Sequence, residues 1–226
     1  MSDSVAFRLR AQGLCAALTV IAALLLSAAL LSAPAAHAQF GTPPTTPVHD
    51  PAALKPPSGA RVAIVEFEDL ECPDCANANP LLKEAAAKYG IPWIRHDFPL
   101  PFHNWSFQAA VNARYFDTRS LALGNDYRDY IFANQVSIET PDQLRNWTQK
   151  FAAAHGIAMP FAIDPMGRLA NEVKADYALG QKIGIEHTPT IWIVTDGDNH
   201  APPFVEVVDR SKLYQLIDQA LAETRR

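Results

Sequence analysis

Cysteine is scarce in this chain, with three in 226 residues, and positive charge is not in excess: 19 Lys and Arg stand against 24 Asp and Glu, a net charge of −5. That balance lacks the basic face nucleic-acid binding requires. Gly-rich phosphate-binding loops are also absent, and nothing repeats along the chain. A Cys-x-x-Cys spacing occurs once, and His96, His103 and His187 show no paired spacing. A zinc site would need such partners, so neither metal nor cofactor is expected. So few cysteines also exclude a scaffold stapled by several disulfides. The apolar fraction of 49% against 19% charged residues suits a globular protein with a full core.

The beginning of the chain reads as a targeting segment. Arg8 and Arg10 precede an apolar run from Ala11 to Leu31, followed by the small residues of Ala36-His37-Ala38. This is the layout of a secretory signal peptide over residues 1–38, with an uncleaved membrane anchor as the alternative. Either way the folded part is expected outside the cytoplasm, in a periplasmic or other extracytoplasmic compartment. Cys15 leaves with a cleaved leader, so the mature chain keeps Cys72 and Cys75. A pair this close in sequence closes almost no loop and stabilises little, and chemistry is the better explanation for it.

Residues 39–60 are rich in proline and poor in apolar residues, which predicts an extended linker or arm without a packed core. The folded region is expected over 61–226. Val62–Phe67 reads as a buried strand, Cys75–Tyr89 as a helix ended by Gly90, and Ile91–Phe98 as a second strand. Helices are predicted over Trp105–Asp117, Tyr127–Ala133, Pro141–His155 and Pro165–Ile183, with turns near Gly124, Ser137 and Gly156. Strands return at Thr190–Val194 and Phe204–Val208, before an amphipathic helix over Ser211–Glu223. The order describes a compact α/β layer domain carrying a helical insertion at about 104–184.

Two cysteines at i and i+3, after a buried strand and opening a helix, can form and reopen a small disulfide ring. Cys72 falls at the helix N-terminus, where unsatisfied N–H groups favour an anion and so a reactive thiolate. Pro73 suits the first helical position, which needs no N–H. Cys75, one turn in, is then the shielded resolving thiol. Glu66 lies inside the apolar strand six residues before Cys72. As a buried acid beneath the pair it would have a raised pKa and accept the proton of Cys75; the blander alternative is a carboxylate at a strand edge. Thr188-Pro189 leads into a buried strand, where a cis proline could present the Thr188 backbone beside Cys72 to an extended peptide. Trp93, Trp105, Trp147 and Trp192 read as packing residues, and His103 as either a groove residue or a packed one.

Val65-Glu66-Phe67, Cys72-Pro73-Asp74-Cys75, Pro80 and Thr188-Pro189-Thr190 together resemble the thioredoxin superfamily. Asp97-Phe98-Pro99-Leu100, His103 and the stretches 110–113 and 131–135 resemble its helical-insert branch, typified by periplasmic DsbA-like proteins. The resemblance covers the chain from Arg61 onward. It implies an α/β thioredoxin-like fold with an inserted helical subdomain. It also implies a protein thiol–disulfide oxidoreductase with Cys72 as attacking thiol, Cys75 as resolving thiol, a redox-active Cys72–Cys75 disulfide, and Thr188-Pro189 as the cis-proline loop binding substrate. Expected partners are exported proteins or peptides with thiols or disulfides and a membrane redox partner, with the chain acting as a monomer.

The direction of electron flow is less plainly written. DsbA-like oxidases carry His between the cysteines where this chain has Asp74, and Glu68, Asp69 and Glu71 lie nearby with no Lys or Arg between Arg61 and Lys83. Negative charge opposes a thiolate, and each pKa unit is worth about 1.4 kcal/mol, or roughly 30 mV for a two-electron couple. A DsbA-like oxidase is expected, less oxidising than the ~−120 mV of DsbA itself. A reductase or isomerase using the same atoms is the alternative, and a non-catalytic thioredoxin-like binding protein is the third reading.

Overall fold

β-Branched and apolar residues from Val62 to Glu68 form strand β1, and all seven residues are buried. Helix α1 (Pro73–Tyr89) follows and ends on Gly90, whose φ of 61° is the left-handed conformation that glycine adopts without steric cost. β2 (Trp93–Asp97) pairs parallel to β1, with Glu66 opposite Arg95. Four helices come next: α2 (Ser106–Asp117), α3 (Leu121–Asn134), α4 (Pro141–Ala154) and α5 (Arg168–Ile183). β3 (Thr190–Thr195) then runs antiparallel to β1, β4 (Phe204–Glu206) antiparallel to β3, and α6 (Leu213–Glu223) closes the domain. The computed structural model describes residues 45–197 and 203–224; the expected leader, with Cys15, lies outside them.

The sheet order is β2-β1-β3-β4, which puts the two most apolar strands at its centre. Such strands are covered on both faces, and this is why they read as unbroken apolar runs rather than alternating ones. Val62 and Ile64 pack with Ala78, Leu82 and Ala85 of α1 and with Leu213 and Ile217 of α6. Ala63, Val65 and Phe67 point the other way, into a cluster with Ile183, Ile185 and Trp192. Each fully buried aliphatic side chain of this kind contributes about 1.5–3 kcal/mol. A third cluster joins Leu70, Cys72 and Cys75 to Trp105, Phe116, Tyr127 and Phe151 of the helical block. The thiol pair therefore sits where sheet layer and helices meet. Among the described residues no helix is long and apolar enough to cross a membrane.

The elements follow the sequence pattern with two differences of substance. The turn expected near Gly124 is absent: α3 begins at Leu121, where the Ser120 hydroxyl accepts from the Leu123 N–H at 3.1 Å. Gly124 lies inside the helix because a Cβ there would run into the Asp117 carboxylate, which Arg128 holds at 2.9 and 2.8 Å. The described part of the Pro-rich segment, moreover, is not a free arm. Leu54 is 2% exposed and joins the cluster of Phe67 and Trp192. Thr46 binds the Glu206 carboxylate through its N–H at 2.6 Å and its hydroxyl at 2.9 Å, and the His49 N–H reaches the Ile183 carbonyl at 2.8 Å. A few anchor residues among the prolines suffice to fix the segment; composition averages them away.

Candidate active site

Cys72 is the N-cap of α1, with extended backbone, and Pro73 holds the first helical position. Both sulfurs are free thiols in this structure, Cys72 7% exposed and Cys75 fully buried. The Cys72 thiol donates to the Thr188 carbonyl at 3.3 Å, and the Thr188–Pro189 peptide bond is cis. Chain folding thus brings Cys72 and the Thr-Pro loop, 116 residues apart, into contact.

The two thiols are driven in opposite directions. Cys72 is pulled down to about 6, first by the Cys75 thiol donating to it, then by the Thr188 hydroxyl and the N–H groups of Cys75 and Asp74, all against burial. The Thr188 hydroxyl is buried with no hydrogen-bond partner, which leaves it available to the sulfur once Cys72 ionises. Cys75 is pushed well above the usual thiol range, first by burial and then by donating to Cys72, although the Asp69 N–H points at its sulfur from 3.4 Å. One geometry thus yields a thiol that ionises readily and a partner that keeps its proton.

Glu66 lies on β1 at 1% exposure. Trp93 Nε1 donates to its Oε2 at 3.0 Å, while Oε1 has no partner. Burial above all, and then the neighbouring Glu68 charge, push its carboxyl up to about 8. Its charge also adds to the upward push on Cys75, as that of Cys72 does on Glu66. The strand-edge alternative does not describe it: β1 is central, and the carboxyl is within electrostatic reach of both thiols.

The acidic residues around the motif do not confront Cys72 as bare charges. Glu71 Oε2 accepts from the N–H groups of Trp105 and Ser106 at 2.7 and 2.9 Å. It thereby caps α2, whose own N-cap residue, Trp105, offers no side-chain acceptor. Asp69 accepts from the N–H groups of Glu71 and Leu100, both at 2.7 Å, and meets His103 Nδ1 at 2.8 Å. Glu68 is gripped by Arg95 at 3.0 and 2.6 Å and lies 3.4 Å from Arg128. Asp74 pairs with Arg210 at 2.6 Å. The expected push of these acids against the thiolate does not appear among the main causes acting on Cys72.

A family description of thioredoxin matches residues 57–209. The chain belongs to the thioredoxin family. No curated protein matches it. Among solved structures, alpha-DsbA1 of Wolbachia pipientis superposes with a TM-score of 0.59 at 18% identity, covering 76% of this chain and 93% of that one. DsbA2 of Pseudomonas aeruginosa gives 0.53 at 18% identity, over 76% and 95%. ScsC of Proteus mirabilis gives 0.58 at 17% identity, over 97% and 99%. These likenesses establish a DsbA-like thioredoxin fold.

Several residues of this thioredoxin-family site escape a reading of the sequence. Trp93 reads as packing, yet its indole N–H donates to the Glu66 carboxyl. Gln135 donates to the Leu70 carbonyl at 2.9 Å and so ties the loop before Cys72 to the end of α3. Arg210 comes from the turn before α6. For these three the local sequence carries no signal. For Glu71 there is one: a helix opening on Trp105 without Ser, Thr, Asp or Asn needs an acceptor from elsewhere. Beside Pro189 lies a cleft of about 190 Å³ lined by Asp74, His187, Ile191, Glu206, Val207 and Arg210.

Proposed function

We propose that the chain is an extracytoplasmic protein thiol–disulfide oxidoreductase that acts as an oxidase through Cys72 and Cys75. The observation that carries this reading is the opposed pair of thiols, Cys72 lowered to about 6 and Cys75 raised, beside the cis Thr188–Pro189 bond. In the oxidising direction a substrate thiolate attacks the Cys72 sulfur of the Cys72–Cys75 disulfide. A mixed disulfide forms, the Cys72–Cys75 bond breaks, and Cys75 leaves as a thiolate that takes up a proton. A second substrate thiolate attacks the substrate's own sulfur in the mixed disulfide and releases the Cys72 thiolate. The substrate loses two electrons and the protein gains them, to be passed to a membrane redox partner. The backbone of Thr188, with Pro189, holds the substrate peptide in extended form.

Glu66 serves the proton of Cys75. In the dithiol the Cys72 thiolate helps keep Glu66 protonated. In the mixed disulfide that charge is gone, so Glu66 ionises more readily and can accept the proton when Cys75 attacks to release substrate.

A thiolate stabilised in the dithiol form favours that form and makes the protein an oxidant. A Cys72 pKa of about 6 lies between the ~3.5 of DsbA and the ~7 of thioredoxin. A potential between about −120 and −270 mV follows. Titration against glutathione and dithiothreitol buffers measures it, and a value outside that window overturns the assignment. Cys72→Ser abolishes oxidation of a reduced, unfolded substrate, whereas Cys75→Ser, given a disulfide-bonded substrate for Cys72 to attack, accumulates a mixed disulfide visible on a non-reducing gel; full activity in Cys72→Ser restores the binding-protein reading. The dithiol-to-disulfide ratio trapped in cells by alkylation separates oxidase from reductase: an oxidised pool supports the oxidase, a reduced pool the alternative. We assign residues 1–38 to a removed leader and 61–226 to a monomeric domain with its insertion at 104–184; mass analysis of the exported form and gel filtration test both.

A further inference from the structure

Asp74, one of the two residues between the cysteines, is held from across the fold. Arg210 Nη2 donates to its Oδ1 at 2.6 Å and Arg210 Nη1 to its carbonyl at 3.1 Å, from 136 residues away. The guanidinium is delivered by a short turn, Arg210–Lys212, that Asp209 caps by accepting from the Ser211 N–H at 2.9 Å. It stands at the rim of the cleft beside Pro189, about one-third exposed, with the Asp74 side chain about half exposed.

Asp74 has two conflicting effects on Cys72. Its N–H is one of the groups that stabilise the sulfur. Its carboxylate, at the second position of α1, is a negative charge beside the thiolate and competes for the same positive helix end. A planar fork that binds carboxylate and carbonyl together neutralises the charge and fixes the turn that aims the N–H. We propose that Arg210 is a positioning residue for the redox pair, holding Asp74 so that it supports the Cys72 thiolate instead of opposing it. This rests on the assignment of Cys72 as the reactive thiol. The other titratable groups that interact with Cys72 are Cys75 on α1 and Glu66 on β1, and neither is changed in the variants below.

The test is a double-mutant cycle of Arg210→Ala and Asp74→Asn, read as the pH dependence of Cys72 alkylation in the full chain. Arg210→Ala raises the Cys72 pKa by about half a unit, the scale of a half-exposed ion pair. The same change makes the reduction potential about 15 mV more negative. In the Asp74→Asn background Arg210→Ala changes the pKa little, and Arg210→Lys in the parent keeps only part of the effect. Arg210→Gln, which keeps a polar side chain without the charge, repeats the Arg210→Ala result and guards against misfolding. An equal shift in both backgrounds assigns Arg210 a general field effect and overturns the proposal; no shift with either Ala or Gln does the same. Alkylation needs no turnover, so a failure of the oxidase assignment leaves this result readable.

Discussion

Glu66 and Glu68 stand two residues apart on β1, side chains on the same face, both buried. Both lie in the C-terminal half of the strand, but Glu68 meets cations from β2 and the helical insertion while Glu66 does not, and the two carboxyls differ accordingly. Glu68 faces Arg95 from β2 and Arg128 from α3, the latter also tied to Asp117. Glu66 has Trp93 on one oxygen and nothing on the other, and its carboxyl rises to about 8. A buried carboxylate is affordable where cations are brought to it and becomes a proton store where they are not. The first arrangement holds the insertion to the sheet; the second leaves a titrating group under a reactive pair.

The contrast breaks most visibly in stability. Glu68→Gln leaves Arg95 and Arg128 buried with less compensation and costs about 3–5 kcal/mol in urea unfolding. Glu66→Gln, replacing a group that is protonated in the folded state but ionised in the unfolded one at neutral pH, stabilises instead, by on the order of 3 kcal/mol at pH 7. Equal losses would dissolve the distinction.

The next effect is on pH. Folded Glu66 keeps its proton until about pH 8, whereas the unfolded carboxyl loses it near its ordinary 4.5. Between those values the folded chain binds the extra proton, so stability falls as pH rises through the window, by on the order of 3 kcal/mol by about pH 7. The measurement belongs in a Cys72→Ser background, which removes the opposing titration of that thiol. Adding Glu66→Gln should flatten the curve, and a persistent slope would place the proton elsewhere.

Kinetics sharpens the contrast further. With Glu66→Gln, release of substrate from the mixed disulfide by Cys75 slows by roughly a hundredfold, the lower end of the usual range of a positioned base. Attack on the Cys72–Cys75 disulfide by a substrate thiolate is the reverse of that step and slows with it, because Cys75 then leaves without its proton donor. The smallest change comes from Trp93→Phe, which removes the bond that lowers the Glu66 pKa and should raise it by up to about one unit. A carboxyl ¹³C titration of Glu66 measures that, and an unmoved value would show the indole to be only packing.

Much of this site is legible before folding is considered. Glycine, proline and apolar spacing place Cys72 at a helix start and Glu66 in a buried strand, because local periodicity depends on neighbours a few residues away. The Gly124 turn misleads for the complementary reason: glycine there serves the approach of Asp117 and Arg128, a tertiary requirement without local trace. The Pro-rich segment misleads too, since Thr46 and Leu54 are anchored by Glu206 and by a cluster that includes Trp192.

The sequence by itself determined the thiol pair, its spacing, its strand-then-helix setting and the Thr-Pro turn that meets it. The charge around that pair was decided only in three dimensions. Between Arg61 and Lys83 the chain is uniformly acidic, but folding brings Arg95, Arg128, His103 and Arg210 to those acids from 27 to 136 residues away. Helices and strands follow from short-range pattern, whereas a pKa depends on charges within a few ångströms and on the exclusion of water. Chain order records neither.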